Sequence, residues 1–97
     1  MSAQVIERPT VKDSGVEKKP SPRYRVLLHN DDFNLPQNVI MWLMEVAQLD
    51  EQKAISVMLT AHQTGIGLVK ICDIEMAEFY VEGLQAKGLT MSMEPEE

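Results

Sequence analysis

The stretch Tyr24–Pro36, "YRVLLHNDDFNLP", changes character twice. Its first part, "YRVLLHN", is short and rich in β-formers, and it reads as a strand beginning near Arg23. Its middle gathers His29, Asn30, Asp31 and Asp32 in a row. Its end reads as a helix start. Asn34 followed by Gln37 resembles a variant capping box, and Pro36 suits a first turn, where its missing N–H has no partner to lose. A turn between strand and helix uses one or two such polar groups, because Asn and Asp side chains hydrogen-bond their own backbone locally. The remainder are left for another task.

The pattern continues on both sides. "PQNVIMWLMEVAQL" places Val39, Leu43, Val46 and Ala47 at helical spacing. Asp50 reads as the next N-cap, and the acidic "DEQ" complements the positive end of a second helix dipole. That helix carries Ala54, Ile55, Met58, Leu59 and His62 and stops at Thr64-Gly65, where glycine tolerates the left-handed cap. "IGLVKIC" reads as a second strand. Asp73 caps a third helix with Ala77, Tyr80, Val81 and Leu84 on one face and Gly88 past its end. "LTMSME" alternates, with Leu89, Met91 and Met93 on one face and Thr90 and Ser92 on the other. The order β-α-α-β-α-β predicts an α+β domain over 23–97. Its three-stranded antiparallel sheet packs one face against three helices, since three strands alone do not hold together. Residues 1–22 lack periodicity and aromatics and contain Pro9, Gly15, Pro20 and Pro22, so they are expected to form a flexible N-terminal tail.

Ninety-seven residues bound the chain to one domain with a modest core. The net charge of −6 is uneven: residues 1–22 hold four basic and three acidic groups, residues 23–97 five basic and twelve acidic. An acidic domain repels phosphate backbones and attracts cations, among them a positively charged chain terminus. Cys72 is the only cysteine, so no internal disulfide forms. No apolar run resembles a secretory signal or a membrane span, and the sequence reads as cytoplasmic.

Catalytic and metal chemistry find little support. Asp31 and Asp32 are adjacent, and neighbours on an extended chain point in opposite directions. Calcium-loop spacing and a phosphate-binding glycine loop are absent. Ser56 and Ser92 lack a nucleophile-elbow context, and Cys72 has no neighbouring histidine. No metal or cofactor is expected. His62 falls on or beside the apolar stripe of the second helix, as a satisfied core histidine would, yet it and Asn30-Asp31 could converge in a small domain. His29 alternates with Leu28 and is expected to face solvent. The seven methionines fill a core or line a deformable apolar pocket.

"YRVLLHNDDF", then an apolar helix, then "AISVMLTAH" ending in a glycine turn, resembles the ClpS adaptors of the ATP-dependent Clp protease over about residues 23–94. The resemblance implies a non-enzymatic adaptor. It would bind proteins that begin with a bulky apolar residue (N-degron substrates) and deliver them to a Clp AAA+ unfoldase of the ClpA or ClpC type through that partner's N-terminal domain. It places Asn30, Asp31 and His62 round the substrate's α-amino group. Asp32 would order the loop, and Asn34 would do so or bond the peptide backbone. Leu28, Pro36, Val39, Met58, Ala61 and Leu89 would wall the side-chain pocket, with Glu75 and Glu78 at the unfoldase dock. The tail would correspond to the segment that the unfoldase engages. The chain departs from the family at Asn34-Leu35-Pro36, where Thr-Pro-Met is usual, at Ala61 in place of valine, and at Tyr80 in place of a common lysine. Pro36 and Ala61 imply a roomier pocket with altered preference among Phe, Leu, Trp and Tyr, open to Ile and Val.

The implied chemistry is sound. An α-amino group with a pKa near about 7.7–8.0 is mostly protonated at neutral pH. Its three donors need three acceptors, which Asn30, Asp31 and His62 can supply. Two other readings remain open on the residues alone: an interaction module of this fold without an amine pocket, and a small hydrolase built on His62 and Asp31.

Overall fold

The computed structural model describes residues 22–96. The expected tail, apart from Pro22, and Glu97 at the end of the expected domain lie outside them. The elements run β1 (Arg23–His29), α1 (Pro36–Val46), α2 (Glu51–Thr64), β2 (Ile66–Asp73), α3 (Ile74–Gln85) and β3 (Met91–Pro95), the expected β-α-α-β-α-β order. β1 is the central strand of a β2-β1-β3 sheet, and both pairings are antiparallel.

Local chemistry sets the boundaries. The Asp50 carboxylate accepts the Lys53 N–H at 2.8 Å and starts α2. Asp73 does the same for α3, accepting from Met76 at 2.9 Å. Such caps are worth about 1 kcal/mol each, because they satisfy N–H groups that a helix start leaves orphaned. Gly65 ends α2 at φ 98°, a conformation that glycine adopts without steric cost. The expected Asn34 cap is absent. Leu35 occupies the N-cap position of α1 with no side-chain cap, and Pro36 opens the helix. The Asn34 amide is bonded elsewhere.

Val26 and Leu28 of β1, Val69 of β2 and Met91 of β3 point to one side of the sheet and are buried. α2 adds Ala54, Val57 and Ala61, and α3 adds Ala77, Tyr80 and Leu84. α1 rides on α2 and α3 and buries Val39 and Leu43. The expected stripe of α2 is corrected at two positions: Val57 faces the core, and Leu59 faces solvent. Leu89, expected to alternate with β3, is buried just before that strand begins. The register of β1 on β2 shifts between Val26 and Leu27, which pair with Lys70 and Leu68. Val69 is the extra residue of this bulge, and its side chain drops into the core. Lys70 also lies on the core side. Its ammonium donates to the Ala47 carbonyl at 2.7 Å and sits 5.1 Å from the centre of the Tyr80 ring. Tyr80 is thus buried, and its departure from the family pattern does not alter the exposed face of α3.

The contact that sets α2 against the sheet is at Gly67. A Cβ there would lie 2.5 Å from the Val57 carbonyl oxygen and 3.3 Å from the Ala61 nitrogen. Both are helix backbone and cannot step aside singly. Gly67→Ala is expected to destabilise the fold by about 1–3 kcal/mol through overpacking. The check is a urea titration, in which the midpoint falls while the slope is kept. A midpoint equal to that of the unaltered chain would show that α2 and β2 are not in this contact.

Candidate functional site

β1 delivers the polar cluster to the end of α2. Where the strand stops, the Asn30 N–H donates to the Gly65 carbonyl at 3.0 Å. Gly65 is the residue that turns the chain out of α2, and His62 stands one helical turn before it. One backbone bond therefore holds the Asn30–Asp31 segment beside the His62 end of the helix.

The loop from Asp31 to Asn34 is ordered by its own side chains. Asp31 Oδ1 accepts the N–H groups of Phe33 at 3.0 Å and Asn34 at 2.9 Å. Asp31 Oδ2 accepts from the Asn34 side-chain nitrogen at 3.1 Å. The same nitrogen donates to the Gly88 carbonyl at 3.2 Å and ties the loop to the turn after α3. Asn34 is therefore a loop clasp rather than a helix cap. The ordering role expected of Asp32 falls instead to Asp31, because the turn aims the Asp31 oxygens at the N–H groups two and three residues on. Asp32 is exposed and makes no side-chain hydrogen bond among the described residues. Burial alone would raise the Asp31 carboxyl. The bonds from the Asn34 N–H, the Asn34 amide and the Phe33 N–H outweigh it and hold the group below the ordinary carboxylate value. Asp31 is therefore a fixed negative charge.

These residues rim a cavity lined by Leu28, His29, Asn30, Asp31, Asn34, Pro36, Val39, Met58 and His62. Its empty volume is about 360 Å³, counted with the open mouth. Leu28 and Val39 are buried wall residues, Met58 is half-buried, and Asn30 and His62 are exposed. Asn30, Asp31 and His62 thus meet at one opening, together with four of the six expected wall residues. Ala61 and Leu89 are not among the lining side chains. Ala61 faces Gly67, and Leu89 turns its N–H back onto the Leu84 carbonyl at 3.2 Å, so both belong to the core. His29 was not expected at the cavity, and adjacency to Asn30 was the available signal. It lies on the strand face opposite Leu28, where its Nε2 is 2.6 Å from Ser92 Oγ. Glu75 and Glu78 are exposed on α3 away from this lining, with Met76 and Phe79 exposed beside them. Among the described residues no three His, Cys, Asp or Glu side chains gather as a metal site, and no helix is long and apolar enough to cross a membrane.

The chain is similar to known proteins over most of its length. A family model described as ATP-dependent Clp protease adaptor protein ClpS matches residues 19–92. An ATP-dependent Clp protease adapter protein ClpS from Synechococcus sp. (strain CC9902) is 59% identical over 82% of this chain and 78% of its own. The ClpS of Synechococcus elongatus is 47% identical over the full length of both. Among solved structures, Agrobacterium tumefaciens ClpS2 bound to L-phenylalaninamide superimposes with a TM-score of 0.76 at 30% identity, over 79% of this chain and 100% of that one.

The clasp gives a prediction with a definite sign. Asn34→Ala removes the bonds to Asp31 Oδ2 and Gly88 and is expected to cost about 1–3 kcal/mol near neutral pH. A carboxyl held low in the folded state contributes stability that is complete above its unfolded pKa and is lost as pH falls through the folded value. The stability gap between the two proteins should therefore narrow in acid as Asp31 protonates. Chemical denaturation across an acid pH series checks this, and a pH-independent gap would count against the clasp.

Proposed function

The chain belongs to the ClpS family of ATP-dependent Clp protease adaptors, and we propose that it binds proteins beginning with a bulky apolar residue and hands them to a Clp AAA+ unfoldase. The observation that carries this reading is the cavity of apolar walls whose lip gathers Asn30, Asp31 and His62. The apolar side chain enters between Leu28, Pro36, Val39 and Met58, while the ammonium stays at the lip. A carboxylate offers about four acceptor positions, and three on Asp31 are taken within the loop. One remains on Oδ2 for the ammonium. The Asn30 side-chain carbonyl and a His62 ring nitrogen supply the other two.

The magnitudes are adequate. Burying a Leu or Phe side chain contributes about 1.5–3 kcal/mol, and charge-assisted hydrogen bonds contribute about 1.5–3 kcal/mol each. After the loss of free motion on association, roughly micromolar binding remains. An internal leucine brings no ammonium, so its entry would desolvate Asp31 without return. Among the described residues the lining holds no Ser, Thr, Cys or Lys, and Asp31 is committed to the loop by three hydrogen bonds, which favours an adaptor over a hydrolase built on His62 and Asp31. The exposed strip of α3 with Glu75, Met76, Glu78 and Phe79, the last 60% exposed, is the dock for the N-terminal domain of a ClpA- or ClpC-type unfoldase.

Titration of a Phe-initiated peptide by fluorescence anisotropy tests the site. Asp31→Ala and His62→Ala should each weaken binding about ten- to a hundredfold. Acetylating the peptide should abolish it, and undiminished binding of the acetylated form would favour an interaction module without an amine pocket. A second series varies the first residue alone. Pro36 borders the cavity where the family usually has a methionine, so peptides beginning with Ile or Val should bind within about tenfold of Leu, a gap of about 1.4 kcal/mol. Pro36→Met should widen that gap. Sharp rejection of Ile and Val by the unaltered chain would contradict the wider opening.

A further inference from the structure

A second apolar surface begins at the cavity rim. It is a shallow groove on α1 and the start of α2, lined by Gln37, Ile40, Met41, Met44, Glu45 and Glu51, with an empty volume of about 900 Å³ counted with its open side. Met41 is 51% exposed and Met44 39%, although neither extends the cavity or the core. Leu35 is 56% exposed and lies between Asn34 and Pro36, two residues of the cavity lining. Gln37 of the groove directly follows Pro36 of the cavity. Cavity and groove therefore adjoin at the N-terminal turn of α1, where Pro36 of the one precedes Gln37 of the other.

We propose that this groove receives the substrate's own chain a few residues beyond the first, so that one molecule occupies both the cavity and the α1 face. The inference rests on the N-terminal-residue reading and extends it. Distance supports this occupant. Met44 lies eight residues along α1 from Pro36, an axial distance of about 12 Å. An extended peptide covers that span with about four residues at roughly 3.3 Å each. Chemistry narrows the occupant further. Glu51 is exposed at one end with no ion pair among the described residues, and Glu45 is only loosely paired with Lys87 at 3.7 Å. Unbranched methionines accept varied apolar shapes. The favoured substrate therefore carries a bulky first residue, then an apolar residue and a Lys or Arg about four to seven positions in. Acidic residues there are disfavoured.

The test uses the full chain and two probes. One is L-phenylalaninamide, which can fill only the cavity. The other is an eight-residue peptide beginning with Phe and carrying Leu and Lys at positions five and six. By calorimetry the peptide should bind the unaltered chain about tenfold more tightly. The double change Met41→Glu, Met44→Glu should remove that advantage and leave phenylalaninamide binding unchanged. Met41→Gln with Met44→Gln, a milder pair, should reduce the advantage in the same direction. The inference is overturned if both probes bind alike, or if the advantage survives the substitutions. An advantage that disappears on deletion of residues 1–21, or depends on adaptor concentration, would trace it to the chain's own N-terminal segment or to a second copy and would equally overturn the inference. If phenylalaninamide itself fails to bind the unaltered chain, the underlying reading of the cavity falls, an outcome distinct from the loss of the groove alone.

Discussion

The rim of the cavity depends on one side-chain amide. Asn34 Nδ2 donates both to Asp31 Oδ2 and to the Gly88 carbonyl. These two bonds join the loop after β1 to the turn after α3, which are far apart in sequence. The Asn30–Gly65 backbone bond adds the end of α2. Three segments far apart in sequence are thereby fixed at one opening. A loop held only by its ends would sample many conformations, and acceptors aimed at a small cation lose most of their value when they wander by an ångström. Hydrogen bonds rather than packing set the precision of the lip. Packing sets the depth of the hole beneath it, through Leu28 on β1 and Val39 on α1.

This division of labour explains what could be read in advance. Elements whose limits follow from local rules were legible: Asp50 and Asp73 as caps, Gly65 as a left-handed stop, and the apolar spacing of Val39 and Leu43. The error at Asn34 has a plain cause. A capping Asn and a clasping Asn use the same amide and the same short spacing, and only the position of Gly88 in space decides between them. The ordering role expected of Asp32 went astray for a similar reason, since one residue of shift decides which carboxylate meets the N–H groups of the turn. On α2, apolar residues at 54, 55, 57, 58, 59 and 61 leave the buried face ambiguous by one position. Gly67 resolves it, because its missing side chain lets Val57 and Ala61 approach β2. The bulge at Val69 has no signal in the alternation of "IGLVKIC", which both a regular and a bulged pairing satisfy.

The resemblance to a family carried the site further than periodicity could, and its limit is also physical. It located Asn30, Asp31 and His62 around one opening, because matched motifs on a matched fold occupy matched places. Ala61 and Leu89, which it also implied for the wall, are not among the residues that line the opening. A position can adjoin a pocket wall in a family while its side chain, in a given member, lies one layer behind the surface. Ala61 is drawn against Gly67 by the close approach of α2 and β2 and is buried there.

The hydrogen bonds that order Asp31 also constrain how the lip can work. Three bonds stabilise its charge before any ligand arrives, and they leave about one acceptor position free. Asp31 therefore cannot hold an ammonium alone. The two remaining donors must be met by groups not already committed, and the Asn30 and His62 side chains make no hydrogen bonds among the described residues. A terminal amine left with an unmet donor beside an apolar wall would forfeit much of what the charge contributes. In the proposed complex the three side chains thus act as one unit: Asp31 supplies the field, and Asn30 and His62 complete the geometry. On the proposed reading, an exposed histidine near the end of α2, unremarkable by burial, bears on selectivity as much as the aspartate does.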